Sequence, residues 1–274
     1  MNKKIFGISV VIPVYNRKEK LIRAVDSIES SDKSLVEIIV VDDCSEVSPK
    51  SFLGPYNKHG IKIRVYRNVK NSGPQISRNL GIRRAYFSYV AFLDSDDFFC
   101  PSKIDWLLNT LRNEDIDFLY HGVDGCEKYN KISRLWFSSI GQVLHFRWLL
   151  CMLNPCVTPS VVIKKKICMF NPSLRYAEDY AFFLSYVNGG GGAKVKYYGE
   201  IYTVVPREIG SIGGVSSNII QMRKGELIGK RNILRENTFV SYALFFTSLL
   251  FVFIRILSDL FRRRYSIKEF IKIK

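Results

Sequence analysis

The chain reads as an α/β protein, with a mostly parallel, Rossmann-like central sheet flanked by helices and a helical extension behind it. Three observations carry this. Residues 8–14 and 36–41 are continuous β-branched apolar runs, the pattern of parallel strands buried on both faces. Residues 18–30 between them have helical character, which completes a βαβ unit. Past Phe239 the chain changes, with an uncharged run to Ile254 followed by Arg255, Asp259 and the cluster Arg262, Arg263, Arg264.

Further elements follow in order. A third apolar run at 61–66 precedes a helix over 74–85, and residues 89–93 form a fourth strand. Residues 102–112 suit a helix, with Pro101 ahead of it and Ile104, Leu107, Leu108 and Leu111 on one face. Residues 118–120 open another strand. A helix surrounds residues 178–186 and ends at the glycines 189–192. A strand over 201–205 comes last. Residues 1–210 make one catalytic-sized domain, and residues 211–274 a helical, basic and apolar segment. Its uncharged run is shorter than the roughly 20 residues of a spanning helix. Aromatics beside a basic cluster suit an in-plane helix on an anionic leaflet, where each Lys or Arg adds about 1 kcal/mol.

Composition narrows the function. Hydrophobic residues make up 47% and aromatics 14% of 274 residues, enough for a packed core. A formal net charge of +16 calls for an anionic partner. No zinc-finger spacing, RNA-binding aromatic signature or basic heptad region accompanies that charge, so nucleic acid is not expected. Cys44, Cys100, Cys126, Cys151, Cys156 and Cys168 contain no C-x-x-C pair, which fits reduced, mostly buried thiols in a cytoplasmic protein. The N-terminal apolar run is short, meets Pro13 and lacks an A-x-A site, so it reads as a first strand and not as a signal peptide.

Ligands of open α/β sheets bind beyond the carboxyl ends of the strands. There the first strand ends in Pro13-Val14-Tyr15-Asn16-Arg17, the second in Asp42-Asp43-Cys44-Ser45 and the fourth in Asp94-Ser95-Asp96-Asp97. Carboxylates packed so closely raise one another's pKa unless a cation intervenes. Oxygen-only ligands favour Mg2+ or Mn2+, which leave positions for phosphate oxygens. A solvated acidic turn is the plainer alternative. No Gly-rich turn follows the first strand, which argues against NAD and nucleotidyl transfer. P-loop, G-x-S-x-G and H-E-x-x-H patterns are absent too.

These motifs resemble the inverting glycosyltransferases of family 2. The resemblance spans residues 8–207 and includes Val10-Val-Ile-Pro-Val-Tyr-Asn16, Ile39-Val-Val-Asp-Asp-Cys-Ser45, Asn71-Ser-Gly-Pro74, Ser77-Arg-Asn-Leu-Gly81, Phe92-Leu-Asp-Ser-Asp-Asp97 and Glu178-Asp179. It implies a GT-A fold and a UDP-sugar donor. Pro13 and Tyr15 would flank the uracil, Asp43 would accept a hydrogen bond from the base, and Asn16 and Ser95 would belong to the nucleotide-sugar site. Arg78 would help to hold the nucleotide or pair with Asp43. Asp94 would lie near the ribose or metal, Asp96 would bind Mn2+ or Mg2+, and Asp97 would stand behind them. Asp179 would be the catalytic base with Glu178 as neighbour or acceptor ligand, although both acids also suit a helix N-terminus. Residues 154–160 would meet the acceptor, and Arg207 the diphosphate.

One base without a second carboxylate nucleophile implies single displacement, so an α-linked donor gives a β-linked product. The Q-x-x-R-W motif of processive relatives is missing, since Gln142 with Arg147-Trp148 has the wrong spacing and precedes Asp179. The implied activity adds one hexose to a lipid-diphosphate-linked saccharide at the cytoplasmic membrane surface, in O-antigen or capsule assembly. Glucose in β-1,3 linkage to an N-acetylhexosamine is the favoured form. Galactosyl or N-acetylhexosaminyl transfer and an inactive nucleotide-sugar-binding protein are the alternatives.

Overall fold

The apolar runs at the start of the chain become adjacent inner strands whose alternate residues feed two cores. A computed structural model describes residues 5–53, 60–139, 144–189, 193–206, 218–236 and 239–272. Strand β1 (Ile5–Val14) leads through α1 (Lys18–Asp26) to β2 (Val36–Asp42), followed by α2 (Lys50–Leu53), β3 (Lys62–Arg67), α3 (Pro74–Arg84) and β4 (Phe87–Phe92). Val10, Ile12, Ile38 and Val40 face the α1 and α4 side, whereas Val11, Ile39 and Val41 face the other core. Each such side chain contributes about 1.5–3 kcal/mol when buried, which is why these strands need no polar alternation.

The second half adds the short β5 (Phe98–Phe99), α4 (Lys103–Asn113), β6 (Phe118–Asp124), α5 (Glu127–Ser139), α6 (Leu144–Met152), β7 (Val162–Lys164), α7 (Glu178–Asn188) and β8 (Val195–Val204). Helices α8 (Ile219–Lys230) and α9 (Phe239–Lys272) close the chain. The sheet runs β3-β2-β1-β4-β7-β6-β8-β5. The pairs β2/β3, β1/β2, β1/β4 and β6/β8 are parallel, and β7 and β5 insert antiparallel.

Two expected elements differ in extent. The helix expected over 18–30 stops at Asp26, because the Ser27 hydroxyl donates to the Ala24 carbonyl and accepts the Phe99 N–H. The strand expected over 201–205 is the tail of the longer β8. None of the six cysteines forms a disulfide among the described residues, and three of them are buried.

The topology fixes the site. After β1 the chain winds outward to β2 and β3, then returns to place β4 on the other side of β1. A crevice opens at such a reversal, between the loops that follow β1 and β4. Helix α3 lies tightly over β1, since a Cβ on Gly81 would come within 2.3 Å of Val11. That approach sets Arg78, one turn earlier, at the carboxyl end of the sheet.

At the far end, α8 lies on the start of α7. A Cβ on Gly225 would fall 2.0 Å from the Tyr176 carbonyl oxygen, and one on Gly229 would fall 2.9 Å from the Ala181 Cβ. The buried Lys230 at the end of α8 ties that helix to α6 and α9, donating from Nζ to the Cys151 carbonyl at 2.5 Å and to the Ser248 carbonyl at 3.1 Å. Burial pulls its pKa down to about 8.

Candidate active site

Three loop families converge at the crevice. After β1, Tyr15 is exposed while Pro13 is buried in the strand opposite Val41. Asn16 adopts a left-handed backbone (φ 50°), as does Cys44 after β2 (φ 69°). The two turns are stitched together: the Asn16 N–H donates to Ser45 Oγ at 2.9 Å, and the Glu46 N–H donates to Asn16 Oδ1 at 2.8 Å. Asn16 tolerates positive φ better than most residues, which suits it to this turn. A surface pocket lies beside them, lined by Asn16, Arg17, Ser45, Val47, Pro49 and Phe52.

Asp43 is buried and accepts three donors: the Gly73 N–H at 2.7 Å, Asn68 Nδ2 at 2.8 Å and the Ser72 N–H at 2.9 Å. It thereby pins the turn that starts α3. Arg78 does not pair with it. Nη2 of Arg78 instead reaches Asp94 Oδ1 at 2.7 Å, and Nη1 reaches Glu178 Oε1 at 3.0 Å. The guanidinium also lies 5.5 Å from the Phe170 ring centroid. Burial opposes its charge, but Asp94 and Glu178 more than offset that and hold it above the ordinary arginine value. One buried cation thus clamps the end of β4 to the start of α7.

The acids after β4 differ from one another. Asp94 and Asp96 have side chains 30% and 21% exposed. Ser95 and Asp97 are buried. Asp96 Oδ2 meets Arg17 Nη1 at 2.7 Å and lies 4.0 Å from Lys20 Nζ, an ion pair that spans the β1 and β4 loops. Burial, then the charges of Asp94 and Asp96, push Asp97 up to about 8. Such crowding of carboxylates is what a hard cation relieves, and the donors are all oxygens, so the residues fit Mn2+ or Mg2+. Among the described residues no group of three His, Cys, Asp or Glu is arranged to hold a metal. Asp96, whose Oδ2 pairs with Arg17 here, is the acid that the family resemblance assigns to such an ion.

Asp179 is the second residue of α7, behind Ala177, whose left-handed backbone (φ 53°) turns the chain into the helix. Its Oδ1 accepts the Tyr180 N–H at 2.7 Å, and its Oδ2 accepts the Thr158 hydroxyl at 3.2 Å. Burial raises its pKa, against the pull of the Tyr180 N–H, Arg78 and Thr158. Burial and the neighbouring Asp179 charge lift Glu178 to about 7. Thr158 sits in the one-turn helix Thr158–Ser160, which is held from below by the buried Lys103: its Nζ donates to the Pro159 carbonyl and to Thr203 Oγ1, both at 2.9 Å.

The expected residues on β1, β2, β4 and α7 therefore gather at one rim. Arg207 lies outside the described residues. The pairing role of Arg17 and the hydroxyl of Thr158 were not singled out from the sequence, although both fall inside segments that it marks.

A model of glycosyl transferase family 2 matches residues 9–168. An uncharacterized glycosyltransferase of Haemophilus influenzae is 32% identical over 183 residues, covering 65% of this chain and 60% of that protein. The Bacillus subtilis glycosyltransferase TuaG, named for teichuronic acid biosynthesis, is 34% identical over 115 residues, or 42% of this chain and 46% of its own length. The chain thus spans less than two thirds of either relative. Among solved structures, S. aureus TarS with UDP-GlcNAc superposes with a TM-score of 0.64 at 19% identity, over 84% of this chain and 67% of TarS. The mannosyltransferase PcManGT of Pyrobaculum calidifontis, in complex with GDP-Man and Mn2+, gives 0.61 at 15% identity, over 85% and 65%. Both likenesses are of fold.

Proposed function

Because the chain belongs to glycosyl transferase family 2, we propose that it moves one hexose from a UDP-sugar onto a lipid-diphosphate-linked saccharide, with inversion, at the cytoplasmic face of a membrane. The observation that carries this is the Arg78 clamp, which joins Asp94 of the β4 acid cluster to Glu178 beside Asp179. Acids suited to a metal and diphosphate, and an acid suited to take a proton, share one rim with the nucleotide-side turns. Complexes of TarS with UDP and UDP-GlcNAc, and of PcManGT with GDP-Man and Mn2+, support a nucleotide-sugar donor.

Asp96 would hold a Mn2+ or Mg2+, whose chemistry would be electrostatic stabilisation of the negative charge on the leaving diphosphate. The chain does the rest. Asp179 Oδ2 takes the proton of the acceptor hydroxyl, and the Thr158 hydroxyl holds that carboxylate in place. Arg78 keeps Glu178 and Asp94 in position. One base yields one displacement and a β-linked product from an α-linked donor. Glucose in β-1,3 linkage to an N-acetylhexosamine is the specific form we propose, within surface polysaccharide assembly.

The membrane reading rests on α9. Its buried face carries Ser241, Leu244, Ser248 and Val252, and its opposite face exposes Tyr242, Phe246, Leu250, Phe253, Ile254 and Leu257. Residues 241–258 are long and apolar enough to cross a membrane by length and composition, yet one side of them is packed on the body of the protein. An in-plane helix satisfies both faces. With the 1–210 unit as catalytic domain, the segment from 211 onward would dock it to the bilayer.

UDP release from a panel of UDP-sugars, with Mn2+ or EDTA and a synthetic lipid-diphosphate N-acetylhexosamine, tests this. Metal-dependent release with one sugar names the donor, and Asp179→Asn should cut turnover about 10²–10⁴-fold while UDP still binds. Full turnover by Asp179→Asn would refute the assignment of the base.

A further inference from the structure

We propose that Arg255, backed by Glu226 and Arg223, is a binding site for the phosphate groups of the acceptor lipid, an inference that rests on the lipid-linked acceptor proposed above. Glu226 is 5% exposed. Its Oε1 takes Arg223 Nη1 at 2.6 Å and Arg255 Nη1 at 3.1 Å, so that one oxygen serves two guanidinium groups. Its Oε2 is buried without a hydrogen-bond partner among the described residues. The Arg255 side chain is 39% exposed while Arg223 is 15% exposed, so Arg255 turns part of its donor fork to solvent. A planar guanidinium suits paired phosphate oxygens, and the carboxylate behind it fixes its direction.

Its place in the fold selects the ligand. Toward the protein, α8 carries Glu226 beside Gly225, the residue pressed on the Tyr176 carbonyl two positions before Glu178. The Tyr129 hydroxyl is raised in pKa chiefly by burial, with the charge of Asp179 adding to the rise and that of Arg255 opposing it. On α9 Arg255 shares the body-facing side with Ser248 and Val252, while Phe253 and Leu257 are exposed on the opposite side. It therefore stands on the protein side of the apolar face, between that face and α8. A lipid diphosphate has the matching order: chain against the apolar face, phosphates at Arg255, saccharide toward Asp179. Free phosphate and ordinary anionic headgroups share the charge but not this order.

The test uses the full chain and phosphatidylcholine vesicles carrying either farnesyl diphosphate or phosphatidylglycerol at matched charge, with binding read by co-sedimentation. The wild type is expected to prefer the diphosphate vesicles about tenfold, and inorganic pyrophosphate to compete. Arg255→Gln should abolish that preference. Arg255→Lys, which keeps a charge on Glu226 but loses the fork, should lose most of it, and it decides the matter if Arg255→Gln fails to fold. Equal binding to both vesicles by the wild type, or a preference retained by Arg255→Lys and Arg255→Gln, would overturn the site. In transfer assays, the ratio of kcat/KM for a diphosphate-linked acceptor over its neutral alkyl counterpart should fall about tenfold in Arg255→Gln. Arg255-dependent diphosphate binding without any sugar transfer would leave the site standing and refute the acceptor reading instead.

Discussion

Replacing Arg78 with methionine removes the one cation that Asp94 and Glu178 share. The side chain keeps its volume against Phe170, so the loss is electrostatic. Breaking a buried pair from one side costs about 3–5 kcal/mol because the partner stays buried and charged. Asp94 is 30% exposed and water can take over part of its solvation, whereas Glu178 is 13% exposed; the lower end, about 3–4 kcal/mol, is therefore expected. At about 2–4 °C per kcal/mol this lowers Tm by roughly 10 °C. The cost should also depend on pH. Glu178 already stands at about 7, above its ordinary 4.5, so the folded state holds its proton where the unfolded chain releases it. That contribution to stability is complete below pH 4.5 and lost as pH rises through 7. Without Arg78 the folded value moves higher still. The penalty of the substitution is then smaller at pH 5, where Glu178 is neutral in both proteins, and about 1 kcal/mol or more larger at pH 8. Urea unfolding at the two pH values measures this. A penalty below about 1 kcal/mol, or one equal at both pH values, would show that Arg78 does not hold these acids.

Other substitutions probe neighbouring contacts. Thr158→Val removes a donor that pulls the Asp179 pKa down, so the ascending limb of the kcat/KM pH profile should move to higher pH; an unmoved limb would mean that Asp179 does not titrate in turnover. Gly225→Ala drives a methyl into the Tyr176 carbonyl and should destabilise by about 1–3 kcal/mol in spite of alanine's better helix propensity, as read by thermal melting. Phe246→Ser with Phe253→Ser, both on the exposed face of α9, should lower vesicle partitioning at least tenfold, since each buried aromatic contributes about 1.5–3 kcal/mol.

Much of the site was legible because its pieces are short, local and sit at strand ends. Apolar runs located β1, β2 and β4, and the residues that follow each run had nowhere to go but the rim. The acids at 94–97 announced themselves by charge density, whereas those at 178–179 stood out only through the family resemblance, since two acids equally suit a helix N-terminus. Their partners did not. Arg78 had several acids in plausible reach, and only the close approach of Gly81 to Val11 decided which two it meets. Arg17 pairs with Asp96 because β4 returns beside β1, a crossover with no local signature. Short antiparallel strands such as β7 and β5 were missed because three and two residues carry no periodicity. The end of α1 at Asp26 was hidden too, since it depends on a serine hydroxyl bridging to a strand about 70 positions later.

The glycine contacts between α8 and α7 have a mechanical meaning. Backbone touches backbone at Gly225, and Lys230 locks α8 to α9 and to the end of α6, so no hinge separates the helix that carries Asp179 in its first turn from the helix with the exposed apolar face. If α9 rests on a bilayer as proposed, the height of Asp179 above the lipid plane would be a constant of the fold. The acceptor would then be measured from the membrane upward, and the position along a saccharide that receives the new sugar would be chosen by distance as well as by shape.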